Sequence, residues 1–252
     1  MSFDSDPWID WASGKPWMPA GAALIYAATV LHVPAGVVSV DARSVRRILV
    51  VWNVAMAAFS AWCAMVAIPH YLWGPNGAFA KGVVSSVCSD VKWYSTGRPG
   101  AMAVAFTMSK FVELGDTVFL VLRKKPLTYL HTFHHASTLM LTWKLFAYRA
   151  STGLVFIAMN AFIHAIMYSY YAGMLFPKIR IFIAPYSQWI TSMQITQMAV
   201  GIVVNLMTAR EIISGRICSV PPICVAAAGV LYSVYMIMFV QFALTKAVLK
   251  RK

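Results

Sequence analysis

The sequence predicts an all-α integral membrane protein, a single domain over residues 1–252 with seven transmembrane helices. Three observations carry this. The chain of 252 residues is 60% hydrophobic and 12% charged, with a mean hydropathy of +0.68, and a soluble domain of that size needs more polar surface. The apolar residues gather in runs of about 20, the length that spans a bilayer core as a helix. The net charge of +13 resides mostly in short connections between those runs. That placement suits membrane orientation and anionic lipid or ligand, and not nucleic acid.

Residues 1–19 read as a short tail carrying Asp4, Asp6 and Asp10. With no basic region ahead of the first apolar run, the tail is not expected to be a cleavable signal. The predicted spans cover residues 20–40, 48–68, 101–122, 128–148, 154–176, 186–209 and 222–248. The connection at 41–47 is short and basic, and that at 70–100 is long, with turn signals in GPNG and GRPG. Arg123, Lys124 and Lys125 make a tight basic corner closed by Pro126, and a basic tail occupies 249–252. Of 21 Lys and Arg residues, twelve fall on one side, in the first, third and fifth connections, at Lys246 near the end of the last span and in the C-terminal tail; seven fall on the other side, and Lys110 and Lys144 lie deeper within spans. The richer side is expected to be cytoplasmic, which puts the N-terminus on the lumenal or external side. Cys63 and Cys224 fall in spans and read as apolar filler. Cys88 and Cys218 fall in two connections of the non-cytoplasmic side, where an oxidising compartment permits a disulfide between them. Two unpaired thiols are the alternative.

Ionisable groups inside membrane segments are costly and tend to face the bundle interior. Residues 110–135, KFVELGDTVFLVLRKKPLTYLHTFHH, concentrate them. Helical residues at i, i+3 and i+4 share a face. His131, His134 and His135 therefore cluster on the fourth span, and Lys110, Glu113 and Asp116 share an arc of the third. Asn160, His164, Met167 and Tyr171 form a stripe on the fifth, and Thr191, Gln194, Gln197 and Asn205 one on the sixth. A polar cavity between these spans satisfies all four stripes. Taken singly, each stripe has a plainer reading. Thr191, Gln194 and Gln197 suit hydrogen bonds between helices, Lys110 and Glu113 a compensated ion pair, and Tyr168, Tyr170 and Tyr171 an interfacial belt.

Three histidines on one turn suit two chemistries. One is metal binding, because HTFHH resembles the His boxes of membrane di-iron desaturases and hydroxylases. Those sites need many imidazoles, and this chain has six histidines, with His32 and His70 far from the cluster. The other is acyl transfer, with an imidazole as base or nucleophile. A seven-span lipid receptor or transporter, whose stripes line a binding pocket, is a third reading.

At these residues the sequence resembles the fatty acid elongases of the ELO (ELOVL) family. The matching motifs are KFVELGDTVFLVLRKK, HTFHH, NAFIHAIMYSYY and TSMQITQ, in family order and spacing, from about Lys110 to Gln197. SVCSD and the ITQM run look most like the branch acting on saturated and monounsaturated chains. The resemblance implies a 3-oxoacyl-CoA synthase of the endoplasmic reticulum membrane, which condenses a long-chain acyl-CoA with malonyl-CoA and releases CO₂ and CoA. It implies seven spans, six of them surrounding an acyl-chain tunnel. It implies no cofactor beyond the co-substrate malonyl-CoA, and a ketoreductase, a dehydratase and an enoyl reductase as partners in the cycle. His131, His134 and His135 become the HxxHH box and His164 the histidine before MYSYY, with His134 as acyl carrier and His164 assisting.

Lys110, Asp116, Asn160, Tyr168, Tyr171, Gln194 and Gln197 are then expected at the substrate site. Glu113 and Asp116 are also suited to holding helices or orienting a histidine. Arg123, Lys124 and Lys125 are expected to meet CoA phosphates at the cytoplasmic mouth, with Lys178 and Arg180 on the same side. Trp143, Trp189 and Phe239 are the bulky candidates for closing the tunnel. The final Lys-Arg-Lys is compatible with a retrieval signal, although Leu249 stands where a lysine is expected. Self-association is left open.

Overall fold

The computed structural model describes residues 2–32 and 41–251, and every element in it is helical. In chain order the helices are α1 (Asp6–Ser13), α2 (Trp17–His32), α3 (Ala42–Trp73), α4 (Ala78–Lys81), α5 (Val83–Cys88), α6 (Gly97–Glu113), α7 (Gly115–Leu122), α8 (Tyr129–Ala147), α9 (Gly153–Met174), α10 (Pro177–Ile183), α11 (Ser187–Ile213) and α12 (Pro222–Arg251). Single 3₁₀ turns follow α5 and α10. Residues 33–40 of the first expected span and Lys252 of the basic tail lie outside the described residues.

Local sequence explains several boundaries. Asp41 caps α3 by accepting from the Ser44 amide at 2.9 Å, which satisfies one of the free N–H groups of the first turn. Thr128 caps α8 in the same way through the His131 amide at 3.2 Å. The run expected as one span over 101–122 is instead α6 and α7, divided at Leu114. The tightened bond from the Leu114 amide to the Phe111 carbonyl, 3.3 Å, marks the break. Gly115 follows the break: a Cβ there would sit 2.7 Å from the Trp52 ring, so glycine lets α3 come this close. The tail at 1–19 also gains structure. Pro7 stands in the first turn of α1, where its missing N–H costs nothing, and Ile9 and Ala12 are buried against the bundle.

Four stretches are long and apolar enough to cross a membrane: Ala42–Lys81, Gly153–Met174, Pro177–Ile213 and Pro222–Val248. Trp17–Val30 is a shorter apolar helix. Helix α8 falls outside this set, and its sequence carries three histidines and Lys144. The core sits where α3 packs along α9 and α11 along α12, with α8 touching α2, α6 and α12. Ala64, Ala67, Ala103, Ala158 and Ala161 populate the first of these cores; small side chains let membrane helices approach closely.

Hydrogen bonds gather the alternate connections at one end. The Ser5 amide donates to the Ser95 carbonyl at 3.0 Å, Ser151 to Ser219 at 3.1 Å and Ser219 to Cys88 at 2.8 Å. Cys88 and Cys218 form a disulfide at this end. Arg149 binds Asp6 and, at 2.9 Å, Asp10, tying the α8–α9 turn to α1. The bond to Asp6 raises the Arg149 pKa above its ordinary value. At the other end Arg46 donates to the Leu175 carbonyl at 2.5 Å.

Candidate active site

The site begins with a buried charge. Lys110 and Glu113, 3% and 5% exposed, lie one turn apart on α6 with Nζ and Oε1 at 2.8 Å. Such a pair is tolerable only if its remaining hydrogen-bonding capacity is met. Ser109 donates to the same carboxylate oxygen at 3.2 Å, and Lys110 donates to Asn160 Oδ1 on α9 at 2.9 Å. Asn160 in turn meets His164 Nε2 at 3.2 Å, and His164 Nδ1 stands 3.8 Å from Glu113 Oε2. Four residues on two helices thus form one closed network.

One turn further on, Asp116 is held from two sides. Trp52 Nε1 of α3 donates to Oδ1 and the Tyr168 hydroxyl of α9 to Oδ2, each at 2.6 Å. This joins α3, α7 and α9 by one carboxylate, and the Tyr168 ring lies 5.6 Å from that of His164.

The three histidines of α8 differ in surroundings. His131 Nε2 meets the Thr117 hydroxyl at 2.9 Å, which meets the Tyr26 hydroxyl of α2 at 2.7 Å. The His135 ring lies tilted against that of His131, with centroids 4.3 Å apart, and edge-on to that of His134, at 5.8 Å. His134 packs its ring on Tyr235 of α12 at 4.9 Å, and its Nδ1 makes only a long contact, 3.5 Å, to Thr138. No hydrogen bond to its Nε2 is found among the described residues. Ser137 and Thr138 hold the Tyr235 hydroxyl at 2.8 and 3.1 Å, so α12 is tied to α8 directly beneath His134.

Of the three, His134 faces a cavity of about 70 Å³ that also reaches Lys110, Asn160 and Gln197. Its other walls are mostly apolar, among them Phe106, Leu141, Phe156, Ile157 and Met198. A few polar groups in a mostly apolar lining is the usual composition of a ligand site. An imidazole thus shares a mostly apolar chamber with an ammonium and two carboxamides.

The other expected site residues fall elsewhere. His131, His135, His164, Asp116 and Tyr168 support the chamber from behind. Gln194 donates to the Met167 sulfur at 3.6 Å, and Tyr171 is 45% exposed. Asn205 bonds its own helix at the Gly201 carbonyl. Arg123, Lys124 and Lys125 are exposed past the end of α7. None of the three bulky residues expected to close the tunnel lines the chamber. Trp143 is spent on α1, donating to the Ala12 carbonyl at 3.2 Å. Trp189 is 69% exposed, and Phe239 stands behind His134. The far wall is Tyr94 with Leu145, Phe146 and Gly153. His32 and His70 each bond a nearby backbone carbonyl, and among the described residues no three His, Cys, Asp or Glu side chains converge as metal ligands.

Sequence reasoning passes over Tyr26, Trp52, Thr117 and Tyr235. Each is an isolated polar or aromatic residue in an apolar helix. The one available signal was a hydroxyl or indole N–H within a span, where a partner is required.

Fold and site together define a multi-pass helical membrane protein with a buried histidine cluster beside an apolar chamber. Comparison with known proteins places it more narrowly. The profile of the ELO: GNS1/SUR4 family matches residues 11–252, and the chain belongs to this family. It is 33% identical over 254 residues to fatty acid elongase 3 of Trypanosoma cruzi, covering 92% of this chain and 84% of that protein. It is 34% identical over 201 residues to very long chain fatty acid elongase 6 of Gallus gallus, covering 78% and 72%. The Mus musculus protein of the same name is 37% identical over 166 residues, covering 64% and 58%. The protein is thus an enzyme of fatty acid elongation.

Proposed function

We propose that the protein is the condensing enzyme, a 3-oxoacyl-CoA synthase, joining a long-chain acyl-CoA to the two-carbon unit of malonyl-CoA. The observation that carries this reading is the position of His134, the one histidine of its cluster that lines the apolar chamber, facing Lys110 and Asn160. In the first half-reaction His134 attacks the thioester carbonyl. The carbon–sulfur bond breaks, CoA leaves as the thiol with the imidazole proton, and an acyl-imidazole forms. In the second, malonyl-CoA loses CO₂ and its enolate carbon attacks the held acyl carbon, breaking the carbon–nitrogen bond; the departing imidazole nitrogen takes up one proton from water, which the overall condensation consumes, and His134 is freed in its neutral form. Lys110 has two N–H groups engaged by Glu113 and Asn160, and the third supplies positive charge to the developing oxyanion. His164, behind the chamber wall, assists through Asn160, which it meets and which lines the chamber, stabilising the enolate or relaying a proton. The apolar walls keep water from the acyl-imidazole. Arg123, Lys124 and Lys125 receive the CoA phosphates.

The same reading sets the protein in the endoplasmic reticulum membrane with seven spans, formed by α2, α3, α6 with α7, α8, α9, α11 and α12. The N-terminus is lumenal and the C-terminus cytoplasmic. It needs no cofactor beside malonyl-CoA, favours saturated or monounsaturated chains, and hands its product to a ketoreductase, a dehydratase and an enoyl reductase.

Single-turnover labelling with radioactive acyl-CoA alone tests the mechanism. The expected result is an acyl group on the protein that hydroxylamine removes, absent from His134→Ala. A His134→Ala protein labelled at the wild-type rate would eliminate the assignment. Release of labelled CO₂ from malonyl-CoA separates the enzyme from a lipid receptor, which binds and does not turn over.

A further inference from the structure

Three hydroxyls and a carbonyl stand in a row behind His134. The Ser137 hydroxyl donates to the Phe133 carbonyl one turn earlier on α8, a bond that serines inside helices commonly make. The Tyr235 hydroxyl of α12 stands 2.8 Å from that of Ser137 and 3.1 Å from that of Thr138. Thr138 Oγ1 in turn stands 3.5 Å from His134 Nδ1. Tyr235 is 3% exposed, and its ring meets those of Phe133 and His134 edge-on, at 6.1 and 4.9 Å. Packing as well as hydrogen bonding thus fixes its hydroxyl in the row.

A carbonyl can only accept, and each hydroxyl has one proton to give. Counting protons from the carbonyl end therefore fixes the direction of every bond. Ser137 spends its proton on Phe133, so it accepts from Tyr235. Tyr235 is then spent on Ser137 and accepts from Thr138. Thr138 is spent on Tyr235 and can only accept from the imidazole, which puts the imidazole proton on Nδ1. A neutral imidazole protonated there carries its lone pair on Nε2. For that nitrogen of His134 no partner is found among the described residues, and His134 lines the chamber. Nε2 of His131 and of His164 is engaged instead, by Thr117 and Asn160.

Resting on the acyl-transfer reading, we propose that Ser137, Tyr235 and Thr138 form a one-way hydrogen-bond relay that holds His134 protonated at Nδ1 and so presents the Nε2 lone pair to the thioester. Tyr235 and Ser137 are positioning residues, acting through Thr138. A partner on one ring nitrogen commonly decides the role of the other. In acylation the new bond forms at Nε2 and the carbon–sulfur bond breaks. The proton that CoA carries off passes from Nδ1 through Thr138, which also lines the chamber. The proton taken up when His134 is freed settles on Nδ1, the side with an acceptor.

Two measurements on the full chain test the relay. In proteoliposomes containing protein with isotopically labelled histidine, solid-state NMR should show His134, assigned by the signals lost in His134→Gln, protonated at Nδ1 and bare at Nε2. Ser137→Ala should reverse this, because Tyr235 then turns its proton to Thr138, and Thr138 turns its own to Nδ1. The second measurement is the rate of single-turnover acylation by radioactive acyl-CoA. Tyr235→Phe keeps the ring and removes the link, and Thr138→Val keeps the shape and removes the acceptor. Each of them, like Ser137→Ala, should slow acylation by roughly ten- to a hundredfold, the scale on which metal sites suffer when a histidine loses its outer partner. The acyl-CoA concentration giving half the maximal rate and the melting temperature should change little, and Thr138→Ser should recover most of the rate. Should Tyr235→Phe fail to fold, the tautomer of the wild type still decides. His134 protonated at Nε2 in the wild type overturns the relay, as does acylation at the wild-type rate by Ser137→Ala and Tyr235→Phe. The expected tautomer in a wild type that forms no acyl-enzyme would instead overturn the acyl-transfer reading, so the two failures are told apart.

Discussion

Two basic residues stand in a backbone conformation that suits glycine. Lys124 and Arg149 have φ of 54° and 53°, each just past a helix end. Lys124 and Lys125 donate to the Val121 and Leu120 carbonyls, and Arg149 and Ala150 repeat the pattern with Phe146 and Leu145. That pair of bonds closes a helix with a left-handed residue, commonly glycine, and a side chain there costs about 1–2 kcal/mol. At Arg149 the two carboxylates of α1 offset the cost. At Lys124 no comparable partner is found among the described residues, and the proposed CoA contact is the compensation. Lys124→Gly should therefore leave the melting temperature unchanged or higher while raising KM for acyl-CoA, and unchanged kinetics would count against phosphate docking. Lys110 obeys a different logic. Lys110→Met strands the Glu113 carboxylate in the core, which costs about 3–5 kcal/mol. Adding Glu113→Gln should restore most of the lost stability without restoring activity, read by thermal unfolding in detergent.

Among the helices, glycine decides which pairs come close. A Cβ at Gly201 of α11 would lie 2.2 Å from the Tyr232 ring of α12, and these two helices form one of the main contacts of the bundle. Gly201→Ala should cost about 1–3 kcal/mol by overpacking, and Tyr232→Leu in the same chain should recover part of it. Retention of full stability by Gly201→Ala would contradict the packing. The faces of α6 and α8 are legible in the sequence because helical periodicity alone brings Lys110 beside Glu113 and stacks His131 under His135. The division at Leu114 is not, and neither is the close approach at Gly115, which reads as a tolerated residue until Trp52 is seen against it. The same limit applies to α1. Its buried residues are Ile9 and Ala12, too few to announce a docked helix, and its anchor, Arg149, is remote in the chain.

For the molecule as a whole, helix type and polar stripes follow from the sequence, and the meeting of distant helices does not. Tyr26 joins Thr117 across 91 residues, Trp52 joins Asp116 across 64, and Thr138 joins Tyr235 across 97. Such contacts rest on tertiary packing that periodicity does not encode. The two ends of the bundle carry a prediction of their own. With single cysteines placed at the exposed Lys124 and Lys92, an impermeant maleimide added outside sealed microsomes should reach the first and not the second. Labelling of both, or only of residue 92, would refute the proposed orientation. The bond between Cys88 and Cys218 extends this to biogenesis. The only other cysteines, Cys63 and Cys224, are buried in the helices, and the later partner, Cys218, lies in the connection between α11 and α12. A mobility shift of alkylated nascent chains would therefore mark the arrival of the connection between α11 and α12, the step just before the last helix is placed.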